Sequence, residues 1–139
     1  MSKVFEKESI SETICTELIK KAVAKAQEIG FGISITIVDE GGVLKAFHRM
    51  DNAALVSIDA SRKKAITAVG FGMPTGDSWY GFIKDDPILM NGAGHLEDFI
   101  LLGGGSPLMV NEKLVGAIGI SGGHYKQDEE CVTAALSIL

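Results

Sequence analysis

The chain has 139 residues, a length that suits one domain and leaves no room for two ordinary ones. It is 46% hydrophobic and 22% charged, with a mean hydropathy of +0.23, and this composition excludes a disordered chain. The formal net charge of −5 argues against nucleic acid or an anionic membrane as a partner.

The terminal sequence and the cysteines indicate a cellular location. The first eleven residues, MSKVFEKESIS, lack the apolar run of a signal peptide. No stretch of about 18 uninterrupted apolar residues follows, so we expect no membrane span. Cys15 and Cys131 lie far apart and form no CxxC motif. A reduced, cytoplasmic protein is therefore the expectation.

The first predicted element is a helix over residues 9–29. Apolar residues recur at a spacing of four along it, which is typical of one buried helical face. Ser9 and Glu12 fit a capping box at its start, in which each side chain satisfies a free amide of the other residue. Gly30 is placed to end the helix.

A hairpin and a second helix are predicted next. Alternating β-branched and apolar residues over 33–38 and 43–50 indicate two antiparallel strands across an acidic, glycine-containing turn. Helical periodicity returns over 54–69. Gly70 and Gly72 are expected to stop this helix, since a proline follows closely and prevents its continuation.

Shorter elements are predicted in the second half of the chain. Residues 75–94 show short helical turns, and the apolar run 99–102 is expected to be a buried strand. Residues 107–110 and 113–120 predict a second hairpin, and a last helix opens near Gln127 with acidic residues in its first turn. The order predicts one α+β domain over residues 1–139, with an antiparallel sheet covered by helices.

Glycine is in excess, at 17 of 139 residues, and the run Gly103-Gly104-Gly105 invites comparison with phosphate-binding loops. Neither G-x-x-x-x-G-K-[ST] nor G-x-G-x-x-G is present, so no bound nucleotide is expected. The glycines are more simply the turns of a sheet built from short strands. Gly116 and Gly119 lie within a predicted strand and predict that another element packs close to the backbone there.

Three histidines are candidates for binding a metal centre. His48, His95 and His124 do not have the spacing of a zinc-binding helix, and no cysteine lies near any of them. A structural zinc site is therefore not expected. His95 is the first candidate for a metal ligand, because it follows a glycine loop that can present it to an open pocket.

The segment Arg49-Met50-Asp51 contains one of only two arginines and lies at the end of a predicted strand. Two interpretations are open. In the first, Arg49 and Asp51 form a local ion pair that holds the connection. In the second, the guanidinium group grips a ligand carboxylate in bidentate fashion, and Lys64 adds a second cation from the following helix.

Five segments follow one another in a characteristic order: VDEGG at 38–42, FHRMD at 47–51, SID and KKA within 57–65, GGSP at 104–107, and VGAIGISGG with QDEE within 115–130. In this order and spacing, over roughly residues 8–139, the chain resembles the GlcG/HbpS-like family. Members are often labelled haem-degrading. The same domain forms the C-terminal half of some PduO-type corrinoid adenosyltransferases.

The resemblance implies a fold, an assembly and a ligand class. It implies a profilin-like α+β fold, with an antiparallel sheet flanked by helices and a helix at each terminus. It also implies a homo-oligomer, a tetramer or larger, which the alanine-rich faces of both terminal helices favour. The ligand would be a haem or a corrinoid. The residues expected to bind it are Arg49, Asp51, Lys64, His95, Gly104 and Gly105, with His95 as the axial ligand of a haem.

Three functions remain open at this point. The first is a small cytoplasmic tetrapyrrole-binding accessory protein of a catabolic or cofactor pathway, with haem propionates or corrinoid amides near Arg49 or Lys64. The second is a small catabolic enzyme acting on an organic acid or aldehyde, whose carboxylate Arg49 would hold. The third is a non-catalytic helper of a cobalamin-dependent dehydratase. The sequence does not decide whether the protein is an enzyme.

Overall fold

A four-stranded antiparallel sheet forms the middle layer of the protein in the computed structural model, which describes residues 1–139. The strands are β1 (Ser34–Asp39), β2 (Leu44–Arg49), β3 (Gly105–Val110) and β4 (Lys113–Ser121). The helices are α1 (Glu12–Ile29), α2 (Ser57–Phe71), α3 (Asp77–Ile83), α4 (Pro87–Gly92) and α5 (Tyr125–Leu136). A 3₁₀ turn over Ala93–His95 follows α4. The predicted α+β class, with helices at both termini, is confirmed.

The spatial order of the strands is β2-β1-β4-β3. Each hairpin pairs its own strands, and the two hairpins join through β1 and β4, where Ser34 lies opposite Ser121. On the other side of β1, the same Ser34 lies opposite Arg49 of β2. The sheet edges are therefore β2 and β3, and the end of β2 brings Arg49 to one edge.

The two faces of the sheet differ in chemistry. Helices α1 and α5 cover one face, where their apolar side chains and the isoleucines of β1 and β4 pack into a 15-residue apolar core. Helix α2 covers the other face, and small polar side chains meet there. Ser34 Oγ lies 2.7 Å from Ser57 Oγ, and Thr36 Oγ1 lies 2.8 Å from Ser61 Oγ. These pairs satisfy hydroxyl groups that burial would otherwise leave without partners.

Glycines in β4 permit this close packing, as predicted. A Cβ atom at Gly119 would collide with the carbonyl oxygen of Ser61 in α2, and one at Gly116 would collide with that of Val38 in β1. Helix α2 therefore sits directly on the strand backbone. This contact places the polar face of α2 deep in the protein.

The first helix starts later than predicted. Its N-cap is Ser11, whose side chain accepts a hydrogen bond from the Ile14 amide at 3.3 Å, and not Ser9. Ile10 is buried in the core, so the chain is still extended at that point. Gly30 ends the helix with a φ of 101°, as expected.

The second helix is also displaced relative to its prediction. It begins at Ser57, since residues 54–56 form a turn, and it runs through Gly70 to end at Phe71. Glycine inside a helix costs only about 1 kcal/mol and need not end it. Gly72 does end it, with a φ of 67°, because this left-handed conformation suits glycine.

Residues 99–102 do not form the predicted strand. Their backbone groups bond singly to other elements: the Ile100 amide donates to Thr67 Oγ1 at 3.0 Å, and the Leu101 carbonyl accepts from Gly76 at 2.7 Å. Phe99 and Leu101 are partly buried against the Trp79 cluster, and Leu102 is 51% exposed, so the run is neither a strand nor fully buried. The second hairpin is confirmed, with Asn111 and Glu112 at its turn. No helix combines the length and hydrophobicity that crossing a membrane requires.

Candidate ligand-binding site

The glycine-rich loop before β3 borders two adjoining cavities. Gly104 and Gly105 line a cavity of about 200 Å³ together with Glu129 of α5. Gly103 lines the second, of about 340 Å³. Thr75, just before α3, fixes the loop: its amide donates to the Gly105 carbonyl at 3.0 Å, and its Oγ1 accepts from the Gly105 amide at 2.8 Å.

The larger of these two cavities, named here the tyrosine cleft, lies between α3, the 101–103 segment and the start of α5. It is lined by Gly76, Asp77, Tyr80, Leu101, Leu102, Gly103 and Tyr125. Tyr80 and Leu102 are about half exposed, at 46% and 51%. A Cβ atom at Gly76 would lie 2.9 Å from the Cα of Gly103, so glycine is needed for the two segments to meet. The cleft is open, aromatic and largely apolar.

Charged side chains lie near the tyrosine cleft, and of these only Asp77 lines it, while Glu129 lines the smaller cavity. Lys126 Nζ lies 2.6 Å from Asp77 Oδ2 and 3.8 Å from Glu129 Oε1. The Oε1 atom is buried and has no hydrogen-bond partner. The Glu129 side chain packs against Gly103, where a Cβ atom would collide with it. One ammonium group thus faces two carboxyl groups, and one carboxyl oxygen lacks a donor.

Lys64 lies behind the glycine loop, and its side chain is only 1% exposed. Its Nζ donates to Asp128 Oδ2 at 2.9 Å and to the Ile120 carbonyl at 2.8 Å. A Cβ atom at Gly104 would lie 3.0 Å from this Nζ. Burial lowers the pKa of Lys64 and raises the pKa of Asp128, although each charge offsets part of that effect on the other. The Lys64 ammonium group is therefore paired inside the protein.

Arg49 and Asp51 lie together at the β2 edge of the sheet, in a polar depression of about 410 Å³. Its lining consists of Val23, Gln27, His48, Arg49, Met50, Asp51 and Asn52. The arginine ion pairs of the structure are those of Arg62 with Asp59 and Asp98, and Arg49 has none. The first interpretation, a local ion pair between Arg49 and Asp51, is therefore wrong. The guanidinium group remains free for an external anion.

His95 ends the 3₁₀ turn and is exposed. It lines neither the tyrosine cleft nor the polar depression. His48 lines the depression, and His124 precedes α5. The three histidines therefore lie in three different parts of the protein.

His124 is the N-cap of α5, which begins at Tyr125 and not near Gln127 as predicted. Its Nδ1 accepts a hydrogen bond from the Lys126 amide at 3.1 Å. A neutral ring that accepts at Nδ1 carries its proton on Nε2, so this tautomer does not offer Nε2 to a metal. The ring lies 4.4 Å from that of Tyr125 and supports the wall of the cleft.

The structure thus distributes the predicted residues over three places. Gly104 and Gly105 lie beside the tyrosine cleft with Lys64 behind them, Arg49 and Asp51 share the depression, and His95 stands apart. Sequence reasoning missed the tyrosines that wall the cleft, and Glu129, which had been assigned only to the first helical turn. The periodicity of these short segments gave no signal that their side chains converge.

The fold and the cleft define a small α+β domain that presents an apolar, aromatic cleft beside a glycine loop. Comparison with known proteins gives its family. The family description "Haem degrading protein HbpS-like" matches residues 10–137, and the chain belongs to this family.

Two relatives and one solved structure illustrate its range. A 15.0 kDa protein of Citrobacter freundii encoded in the dhaT-dhaS intergenic region is 30% identical over 98% of this chain and 96% of its own length. The corrinoid adenosyltransferase PduO of the same species is 32% identical over 88% of this chain, which spans 37% of that protein. The crystal structure of a PduOC–haem complex superposes with a TM-score of 0.85 at 30% identity, covering 94% of this chain and 95% of that one.

Proposed function

We propose that this protein is a cytoplasmic accessory protein that binds a tetrapyrrole, a haem or a corrinoid, in the tyrosine cleft. The observation that carries the proposal is the cleft itself, an open cavity of about 340 Å³. Its apolar wall is formed by Tyr80, Tyr125 and two leucines. Similarity to a structure that contains haem supports the ligand class. The family membership supports it as well.

The chemistry of the cleft fits a tetrapyrrole. Aromatic and leucine side chains suit the apolar faces of a macrocycle. When bound, the tetrapyrrole would supply a metal with axial coordination positions. The protein would contribute binding, orientation and partial exclusion of water.

The axial ligand is a separate question. His95, the candidate that the sequence singles out, is exposed and caps no helix, unlike His124, but it does not line the cleft. Tyr80 and Tyr125 are the candidates that the cleft itself contains, and tyrosine is an established type of haem ligand. Replacing His95 by alanine separates the two cases. Loss of the Soret shift assigns the position to His95, and its retention assigns it to a tyrosine.

Titration with hemin tests binding in the tyrosine cleft. We expect a Soret band that saturates with the wild-type protein. Leu102→Asp should weaken binding at least tenfold, because it places a charge in the apolar wall. Leu44→Asp is the matched control, since Leu44 is 61% exposed and lies outside the cleft. Equal weakening by both variants, or by neither, would contradict this location.

A second candidate function uses the polar depression. The guanidinium group of Arg49 is free of ion pairs and lies beside His48 and Asp51. These groups can hold the carboxylate and a hydroxyl of a small organic acid. The depression thus favours the alternative of a small enzyme that acts on an organic acid or aldehyde.

Thermal unfolding with lactate or succinate tests this second function. We expect each acid to raise the Tm of the wild-type protein, since a ligand that binds only the folded state stabilises it. Arg49→Ala should abolish the rise, and Lys45→Ala, which removes a cation of the same strand outside the depression, should not. No rise with the wild-type protein rules the second function out. If hemin also fails to bind, a non-catalytic helper role in a cobalamin-dependent dehydratase system is left.

A further inference from the structure

A lysine at the start of α5 holds its ammonium group beside the tyrosine cleft. Resting on the proposed function, we propose that Lys126 binds a peripheral carboxylate of the tetrapyrrole, so that the cleft takes haem in preference to a corrinoid. Haem carries two propionates, whereas corrinoids carry carboxamide side chains. Lys126 does not itself line the cleft, and its ammonium group is the part that reaches the edge of the ligand.

The first argument is the position of this ammonium group. Lys126 Nζ lies 2.6 Å from Asp77 Oδ2 and 5.4 Å from the centroid of the Tyr125 ring. Both of these residues line the tyrosine cleft, and Asp77 is the one charged residue in its lining. The Lys126 side chain is 50% exposed, so it is not enclosed by the protein. A ligand that packs on the Tyr125 ring therefore brings its edge close to the ammonium group.

The second argument is that the present partner of Lys126 is exchangeable. The Asp77 side chain is 77% exposed, and ion pairs between exposed side chains contribute little net stability. Glu129 Oε1 lies 3.8 Å from Nζ, which is beyond hydrogen-bonding distance. The hydrogen bond to Asp77 raises the pKa of Lys126, so the amine is charged at neutral pH. A ligand carboxylate can therefore take the place of Asp77, whose own carboxylate water then solvates.

The third argument is that the cations expected from the sequence lie elsewhere. Arg49 lines the polar depression at the β2 edge, not the cleft. Lys64 is 1% exposed and is paired with Asp128 inside the protein. Of these three cations, only Lys126 contacts residues of the cleft lining.

The chemistry of the exchange discriminates between the two kinds of tetrapyrrole. A carboxylate forms a charge-assisted hydrogen bond with an ammonium group, and such bonds are stronger than those of neutral acceptors. A carboxamide oxygen also accepts a hydrogen bond, but it carries no net charge with which to displace Asp77. Only a ligand with a peripheral carboxylate therefore gains from Lys126.

The experiment compares Lys126→Gln with Lys84→Gln, which removes the same charge from an exposed lysine at the end of α3 outside the cleft lining. The probes are hemin, hemin dimethyl ester, whose esterified propionates are uncharged, and dicyanocobinamide. Quenching of Trp79, the single tryptophan, reports binding. For Lys126→Gln we expect about tenfold weaker hemin binding, with the ester and cobinamide within about twofold of wild type. For Lys84→Gln we expect all three affinities within about twofold of wild type.

A second variant tests the exchange itself. Asp77→Asn removes the carboxylate that competes with the ligand for Lys126, and it preserves the shape of the side chain. We expect hemin to bind about threefold more tightly to this variant, with the affinity for the ester unchanged. Weaker hemin binding would contradict the exchange, because it would mean that the ion pair only supports the wall of the cleft.

The inference and the proposed function can fail separately. If Lys126→Gln weakens hemin and its ester equally, or weakens hemin no more than Lys84→Gln does, Lys126 does not bind the carboxylate, although the cleft still binds the macrocycle. Tighter binding of cobinamide than of hemin by the wild-type protein would also overturn the inference. If none of the three probes binds the wild-type protein, the proposed function fails together with it.

Discussion

Lys64 and Asp128 form a fully buried ion pair that ties α2 to α5 behind the glycine loop. Each side chain is 1% exposed, and the carboxylate also accepts from the Gly123 amide at 3.0 Å. Asp128 Oδ2 and the Ile120 carbonyl accept from the Lys64 ammonium. Such a pair gains little net stability, because desolvation offsets the attraction, but removing one member leaves an uncompensated buried charge. Its expected role is to hold the loop and the start of α5 in place.

Removal of one partner tests this role. We expect Lys64→Met to lower the free energy of unfolding by about 3–5 kcal/mol, because Asp128 stays buried without its cation. The double variant Lys64→Met with Asp128→Leu should recover most of this loss. Urea unfolding of the single and double variants measures both. If the double variant is as destabilised as Lys64→Met alone, or by the sum of the two single variants, the pair does not act as a unit.

The same residue shows where sequence reasoning about the site failed. In the run Arg62-Lys63-Lys64, a helix directs the three cations to different sides of its axis. The sequence interpretation used Lys64 as a second cation beside Arg49 for a ligand carboxylate. Helix α2 is instead packed on the sheet, so Lys64 points inward while Arg62 reaches Asp98 at 2.8 Å. The inward partner, Asp128, is 64 residues away in sequence.

At the scale of elements, the hairpins were predictable because their signals are local. Alternation fixed β1 and β2, and the close approach expected at Gly116 and Gly119 is confirmed by the contacts of β4. The irregular conformation of residues 99–102 could not be predicted. Their apolar run is compatible with a strand, and only the positions of Thr67 and Gly76 determine where their backbone groups bond.

Helix starts were less predictable than helix ends. Serines at positions 9 and 11 both suit an N-cap, and sequence alone does not rank them. The start of α5 depends on His124, a less common cap that works here because Gln127 Oε1 accepts from the His124 amide at 3.1 Å. The ends at Gly30 and Gly72 were recognisable, since both need a positive φ.

At the scale of the whole molecule, apolar side chains remain on the surface in numbers that favour self-association. Ile88 is 83% exposed, Leu55 79% and Val56 71%. Apolar side chains this exposed favour an interface when they group on one surface. We therefore propose a homo-oligomer, a tetramer or larger, and expect light scattering to give at least four times the chain mass of 14.7 kDa. A monomer at micromolar concentration would contradict this assembly.

The site as a whole could be predicted only in fragments. Short-range patterns identified the glycine loop and the Arg49–Asp51 segment, each of which does line a cavity. The tyrosine cleft is assembled by α3, the 101–103 segment and α5. These are short pieces of chain that lie apart in the sequence. Convergence of this kind depends on tertiary packing, which one sequence does not reveal.

The proposed function depends on binding of a tetrapyrrole in the tyrosine cleft. A crystal structure of the protein with hemin or cobinamide tests it most directly. We expect macrocycle density against Tyr80 and Tyr125. Density in the depression beside Arg49, or a crystal with no ordered macrocycle under saturating ligand, would contradict it.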